Sequence, residues 1–458
     1  MLGLQYQSLK AVLPHMDANT RFRISLHMPS IRSVEKMLPL KIYHLRIQDF
    51  SVKINNTRYQ LGVLRHYPNG NAPRPIKEER RRGAIEYDFD EFGFPVPSGR
   101  NILLPGDVSF VSFEWEERFD TEEYERTSRE ELRALEKALE TLTELKSKGI
   151  TVEDHLESLE PLPDEFDEEF EEEYTVEQFL SYPSDTLLSC IDKQKLKLLP
   201  FECRRNRTKP PFTYYIQLTI TKGKSTRIQR FEYTKKLFEA VKHFNERFFG
   251  GRTMPIRVES FDFTFPHGVF RLPVGFRLRA NRLHVRRPSL RLRKLHSLVE
   301  NSKILDCLWI HSGTSPNGFQ RRIVRNAKKL VLADVLKSLI QELLPSIRDL
   351  RHRDVLILPW PSQFLPEDYF QIIDAWLSGN RQIGANCWIR VVTDEMARDI
   401  LKLVRTRNER TKRTKRCVTI QRNDSTRVEV FYVPFRKQIK YYGFYHGDQI
   451  MKIRIVKA

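Results

Sequence analysis

Cysteine is scarce in this chain. Five occur in 458 residues, at Cys190, Cys203, Cys307, Cys387 and Cys417, and no two form a C-x-x-C pair. So sparse and odd a set excludes a disulfide framework and fits buried thiols in a reducing compartment. Long apolar runs are missing too. No stretch approaches the roughly 20 residues that span a bilayer. The first residues lack a basic region followed by an apolar run, so no signal peptide is expected. In that setting the sequons at Asn55, Asn206 and Asn423 carry no meaning. The expectation is a soluble cytoplasmic or nuclear protein, without membrane association.

Signatures of chemistry are equally absent. There is no Walker phosphate loop, no G-x-G-x-x-G after a strand, no G-x-S-x-G elbow and no kinase set. The twelve histidines are dispersed, without H-x-x-x-H or a Cys/His cluster at metal spacing. His284, between Leu283 and Val285, reads as a histidine on a strand face. Asp88 and Asp90 in "YDFDEFGF" form a carboxylate pair, but in a Gly/Pro-rich loop with no histidine or cation at a telling offset. The sequence therefore predicts no enzyme, no catalytic residue, no metal and no cofactor.

What is abundant is charge, unevenly spread. The net charge is +19, yet residues 111–180 hold 25 acidic and 7 basic side chains, a net of −18. The remainder then carries +37. A basic body suits nucleic acid as a partner, or else the acidic block lies against it and screens it. Three basic runs stand out: "RRNRTK" (204–209), "RLRANRLHVRRPSLRLRK" (277–294) and "RTRNERTKRTKR" (405–416). Their phosphate-binding candidates are Arg286, Arg287, Arg291, Arg293, Arg410, Lys412, Arg413, Lys415 and Arg416. No stacking aromatics interleave them, and no zinc, RNP or helix-turn-helix signature accompanies them.

A hydrophobic fraction of 40% and 11% aromatics suffice for real cores. Residues 4–38 read as short helices, broken at Pro14, Asp17 and Pro29, with Ser30 a plausible N-cap. From Leu40 the apolar period becomes two, with a hairpin turn at Asn55-Asn56. "YPNGNAPRP" through "VPSGR" reads as a long loop, and "NILLPGDVSFVSFEWEE" as a strand pair about Pro105-Gly106. Ser128 and Glu131 form a capping box for a helix with a leucine seam, and 161–174 is a like-charge linker. "FTYYIQLTI" and "KSTRIQRFEY" pair across Lys222-Gly223, and a helix over 234–249 stops at Gly250-Gly251. Beyond it, strand cores recur at 283–285, 308–310, 330–332, 356–358 and 388–390, with helix-like segments between several of them. That spacing fits either a degenerate strand-helix solenoid or ordinary α/β alternation. The predicted class is α/β (α+β): a short N-terminal helical unit, strand-rich modules and a leucine-rich-repeat-like C-terminal alternation. The segments are 1–39 helical, 40–113 strand-rich, 114–180 acidic helical, 181–275 strand-strand-helix and 276–458 repeat-like.

"SLKAVLPHMDANTRFRISLHMPSIRSVEKMLPLKI", "TRYQLGVLRHYPNG", "YDFDEFGF", "LLPGDVSF", "YYIQLTI", "RIQRFEYTKKLFEAVKHFNERFFGGRTMPIRV" and "FRLPVGFRL" together resemble the nematode F-box C proteins. The likeness runs through 1–110 and 180–290, and more faintly to the C-terminus. It implies an F-box-like helical unit that docks on the Skp-type adaptor of a cullin ubiquitin ligase, joined to a domain of unknown function that recruits an unidentified target protein. The implied docking residues are Leu4, Leu9, Val12, Leu13, Met16, Phe22, Ile24, Pro29 and Ile31. Typical F-boxes open with Leu-Pro and end near a tryptophan; here the start is "LGLQYQSL" and Trp115 is the first tryptophan. The other reading of these helices is a cap on the first sheet, burying their apolar stripe at home. The alternative function is a basic nucleic-acid-binding or scaffold protein.

Overall fold

The computed structural model describes residues 6–96, 99, 102–109, 118–157, 175–264, 268–286, 298–300, 304–311, 319, 321–360, 364–408, 411–414, 416–423, 425–434 and 448–458. The linker reading of 161–174 lies outside them. The content is mixed α/β, with two compact units that are each discontinuous in sequence. Met1–Thr57, Leu104–Val111 and Asn245–Ala458 form the first, Arg58–Leu103 and Ser112–Phe244 the second. Segments 1–39 and 276–458 fall in the first unit, while 40–113 and 181–275 are each divided between the two.

The first unit is built on strands β1 (Lys41–Ile47), β2 (Ser51–Ile54), β3 (Ile256–Thr264), β4 (Leu278–Arg286), β5 (Cys307–His311), β6 (Lys329–Val335), β7 (Asp354–Pro359), β8 (Asn386–Val391), β9 (Thr411–Thr414), β10 (Cys417–Asn423), β11 (Thr426–Pro434) and β12 (Gln449–Lys457). From β3 to β8 each strand lies parallel beside its predecessor. β1 adds in parallel outside β3, and β2 turns back antiparallel beside it. At the other end β12 pairs antiparallel with β8, and β11, β10 and β9 follow as a meander.

The five strand cores spaced along the sequence are thus sheet neighbours. Leu308 stands opposite Leu330, Leu330 opposite Val355, and Val355 opposite Cys387. Strands buried on both faces need continuous apolar runs, which is why "CLWI", "LVLA" and "VLIL" show no alternation. One face carries the ladder Trp309–Val331–Leu356–Trp388, with Lys329 over the Trp388 ring at 4.4 Å. Helices Ile340–Asp349, Pro366–Ser378 and Asp394–Thr406 connect successive strands and bury Leu343, Ile347, Tyr369, Ile372, Trp376, Ile400 and Val404. His284 stacks on Trp309 at 5.2 Å, a strand-face position as its sequence context predicts. Every cysteine is a free thiol, and burial pushes Cys387 up to about 12, so it stays protonated.

The second unit combines helices with a hairpin. Thr213–Lys222 and Ser225–Glu232 pair antiparallel, closing at Lys222 opposite Ser225. Helix Glu122–Lys148 packs Ala134, Leu135, Ala138 and Leu142 against Phe179, Leu180, Leu187 and Ile191 of helices Val176–Leu180 and Ser184–Asn206. The leucine seam is therefore an internal packing face. Lys195 reaches Glu136 at 2.9 Å and Arg205 reaches Glu125 at 2.5 Å, so basic groups of one helix neutralise acidic groups of the other. Exposed pairs of this kind contribute about 0.2–1 kcal/mol each.

Three local readings change. The helix assigned to a Ser128 cap begins at Glu122, capped by Thr121 accepting from Tyr124 N–H at 3.1 Å; Ser128 lies inside it and is buried. The loop of 67–100 contains helix Arg74–Arg82. Its Pro73, Pro75 and Gly83 are boundary residues, with Gly83 at φ +108 ending the helix in a left-handed turn. Of the strand pair read about Pro105-Gly106, residues 110–117 lie outside the described residues, and Val108–Ser109 pairs with Val269–Phe270. Gly106 sits at φ +90 with the Val274 backbone where a Cβ would be, 2.6 Å away, so only glycine fits.

Candidate functional site

The N-terminal helical segment belongs to the first unit. Pro14 stops helix Tyr6–Val12 in a short 3-10 turn, Leu13–His15. Asp17, whose carboxylate accepts from Asn19 N–H at 3.0 Å, starts helix Ala18–His27. Asn55 donates to that same carboxylate at 2.8 Å, and Asn19 donates to the Ile54 carbonyl at 3.0 Å, pinning the helix start to the end of β2. Pro29 opens a second 3-10 turn that runs into helix Arg32–Met37, so Ser30 is not its cap.

The apolar stripe is largely spent inside the unit. Leu13, Ile31 and Val34 form a buried cluster with Met16, Ile24 and Leu38 against it. Phe22 is buried, with its ring 4.3 Å from Phe248. Of the implied docking residues, Leu13, Phe22 and Ile31 are thus inaccessible, Met16 and Ile24 partly so, and Val12 and Pro29 exposed. Leu4 and the side chain of Leu9 lie outside the described residues.

Beneath the helices sits a charged centre. Arg21 donates to the Pro39 carbonyl at 2.6 Å and contacts the Glu35 carboxylate at 3.0 Å. Arg252 reaches both Glu35 oxygens, at 2.8 and 2.9 Å. All three side chains are at most 5% exposed. Burial lowers the pKa of both guanidiniums, and Glu35 opposes that shift. Beside them Lys36 donates to the Arg247 and Phe248 carbonyls at 2.7 and 2.9 Å, where burial and then Arg252 lower its pKa to about 7.

What the segment presents outward is a set of large apolar side chains. Val12, Leu26, Met28, Met37 and Tyr43 are between 40% and 78% exposed, all within residues 12–43. Hydrophobic periodicity marks which faces are apolar, but not which of them the fold covers.

The carboxylate pair is committed to its own loops. Asp90 accepts the N–H groups of Phe92, Gly93 and Phe94 at 2.8–3.0 Å. Asp88 accepts from the Tyr233 hydroxyl at 2.5 Å and Leu237 N–H at 2.7 Å. Among the described residues no group of histidine, cysteine and acidic side chains could hold a metal ion, and no helix is long and apolar enough to cross a membrane.

Of the basic candidates, Arg287, Arg291, Arg293, Arg410 and Lys415 lie outside the described residues, as do the side chains of Arg286, Lys412 and Arg413. Arg416 is exposed, with its guanidinium 5.7 Å from the Tyr432 ring centroid. A different set of arginines is brought together by the fold. Arg322, Arg325, Arg348, Arg351 and Arg381 line one cavity of about 660 Å³ with His352. They come from three separate helix ends and the residues after them, each shortly before β6, β7 or β8, so no basic run marks them. The available signal was positional, a cation recurring ahead of each strand core.

Residues 236–393 match a family described as Domain of unknown function (DUF3557). That span covers about a third of the chain and takes in β3 to β8. No curated protein matches, and neither does any solved structure.

Proposed function

We propose that this chain is a non-enzymatic protein-interaction subunit whose N-terminal helices dock on the Skp-type adaptor of a cullin ubiquitin ligase. The reading joins the resemblance to nematode F-box C proteins with one observation. The helical segment keeps Val12, Leu26, Met28 and Met37 exposed even though its inner face is buried. Exposed apolar groups concentrated on one short segment are what a protein partner covers. Docking then uses this outer set together with Pro29, while Leu13, Phe22 and Ile31 hold the segment in shape. The parallel progression from β3 to β8 supports a repeat-like platform for the recruited target.

The test is calorimetric titration of the full chain with a purified Skp-type adaptor. The proposal expects saturable binding at micromolar concentration, weakened about tenfold or more in a Met28→Glu, Met37→Glu double variant whose melting temperature is unchanged. Absence of binding, or equal binding by the double variant, refutes it.

A further inference from the structure

The arginine-lined cavity lies outside that docking segment and does not depend on it. Helices Arg322–Arg325, Ile340–Asp349 and Pro366–Ser378 end around it, exposing carbonyls that need donors. Two lining residues answer that need. His352 donates from Nε2 to the Val324 carbonyl at 2.7 Å, and Arg381 donates to the Ile347 carbonyl at 2.6 Å. Both are more than nine-tenths buried, and each keeps a nitrogen, His352 Nδ1 and Arg381 Nε, without a hydrogen-bond partner among the described residues. Gly379 lets the layer close up, because a Cβ there would meet the Arg348 carbonyl at 2.3 Å.

Capping does not account for the remaining four arginines. Arg322, Arg325, Arg348 and Arg351 are exposed, and none is in an ion pair among the described residues. Among the described residues Asp349 is the one acidic lining residue. Burial lowers the pKa of Arg381, and Arg422 nearby adds to this. Five arginines against one carboxylate, with helix C-termini offsetting only part of the excess, leave a net positive site whose repulsion a bound anion relieves.

We propose that this cavity binds a small ligand carrying two or more phosphate groups. Guanidinium forks match phosphate oxygens two at a time, and several converging forks favour a polyphosphate over a single anion. The volume is that of a small-molecule site rather than a track along a polymer.

The experiment titrates the full chain with inorganic tripolyphosphate at physiological salt. One-to-one binding is expected, about tenfold or more weaker in an Arg348→Glu, Arg351→Glu variant and unchanged in Arg227→Glu, Arg230→Glu, which alters exposed arginines of the other unit. Orthophosphate should bind at least about tenfold more weakly than tripolyphosphate. ATP in solution, and phosphatidylcholine vesicles doped with phosphatidylinositol bisphosphate, then separate a soluble polyphosphate from a lipid headgroup. No heat with tripolyphosphate overturns the proposal, as does equal loss in both variants. A single-stranded oligonucleotide that binds through Arg348 and Arg351 while tripolyphosphate does not overturns it in favour of nucleic acid.

Discussion

Arg252 donates to both carboxylate oxygens of Glu35 across 217 residues of sequence, and Arg21 closes on the same carboxylate. One buried acid thus joins the N-terminal helices to the turn before β3. Removing a buried charge strands its partners, at a cost of about 3–5 kcal/mol. Glu35→Gln leaves two buried guanidiniums and should lower unfolding free energy by that amount in urea titration. A loss below about 1 kcal/mol would mean that solvent reaches the centre.

Lys36 gives this contact a pH dependence. Its pKa falls from the ordinary lysine value of 10.5 to about 7 in the folded chain. Between those two values the unfolded state binds the extra proton, so stability from this group rises as pH increases across that window. Wild-type stability minus that of Lys36→Met should therefore rise from pH 6 to pH 9. A flat difference would place the ammonium in water.

Inner and outer faces of the N-terminal helices should separate cleanly by substitution. Leu13→Ala opens a cavity in the buried cluster and should cost about 2–5 kcal/mol. Val12→Ala, one residue away and 40% exposed, should stay within about 0.5 kcal/mol. Paired denaturation curves check both. The same contrast makes Leu13→Asp a probe of folding, not of docking.

Asp88 titrates in the opposite sense to Lys36. Burial raises its carboxyl pKa, against hydrogen bonds from Tyr233 and Leu237 that lower it. A raised folded value means the native state holds the proton more tightly, so this contribution is full at low pH and lost as pH rises through the raised pKa. Asp88→Asn should remove that part of the acid-range slope in thermal melts.

Much of the fold was written locally. The runs at 308–310, 330–332 and 356–358, the 213–232 hairpin and the 237–249 helix are strands and helix as their patterns indicate, because burial on two faces, alternation and helical spacing leave distinct traces. The quoted motifs also meet in pairs. "LLPGDVSF" touches "FRLPVGFRL" through Asp107 and Arg271 at 2.7 Å, and "YDFDEFGF" touches the "RFEYTKKL" stretch through Asp88 and Tyr233. Helix Arg74–Arg82 was hidden because prolines and glycine at its ends read as loop punctuation. The burial of Leu13 and Phe22 was hidden for a different reason: periodicity carries no information about what covers a face. The arginine cavity was hidden because its members are adjacent only after β6, β7 and β8 stack.

The most direct test of the docking account is hydrogen exchange on the full chain with and without a Skp-type adaptor. Adaptor should slow exchange at residues 8–12 and 26–37 while leaving the 18–25 amides as protected as before, since Phe22 stays packed on Phe248. Unchanged exchange across 6–40, or faster exchange through helix Ala18–His27, would contradict the account.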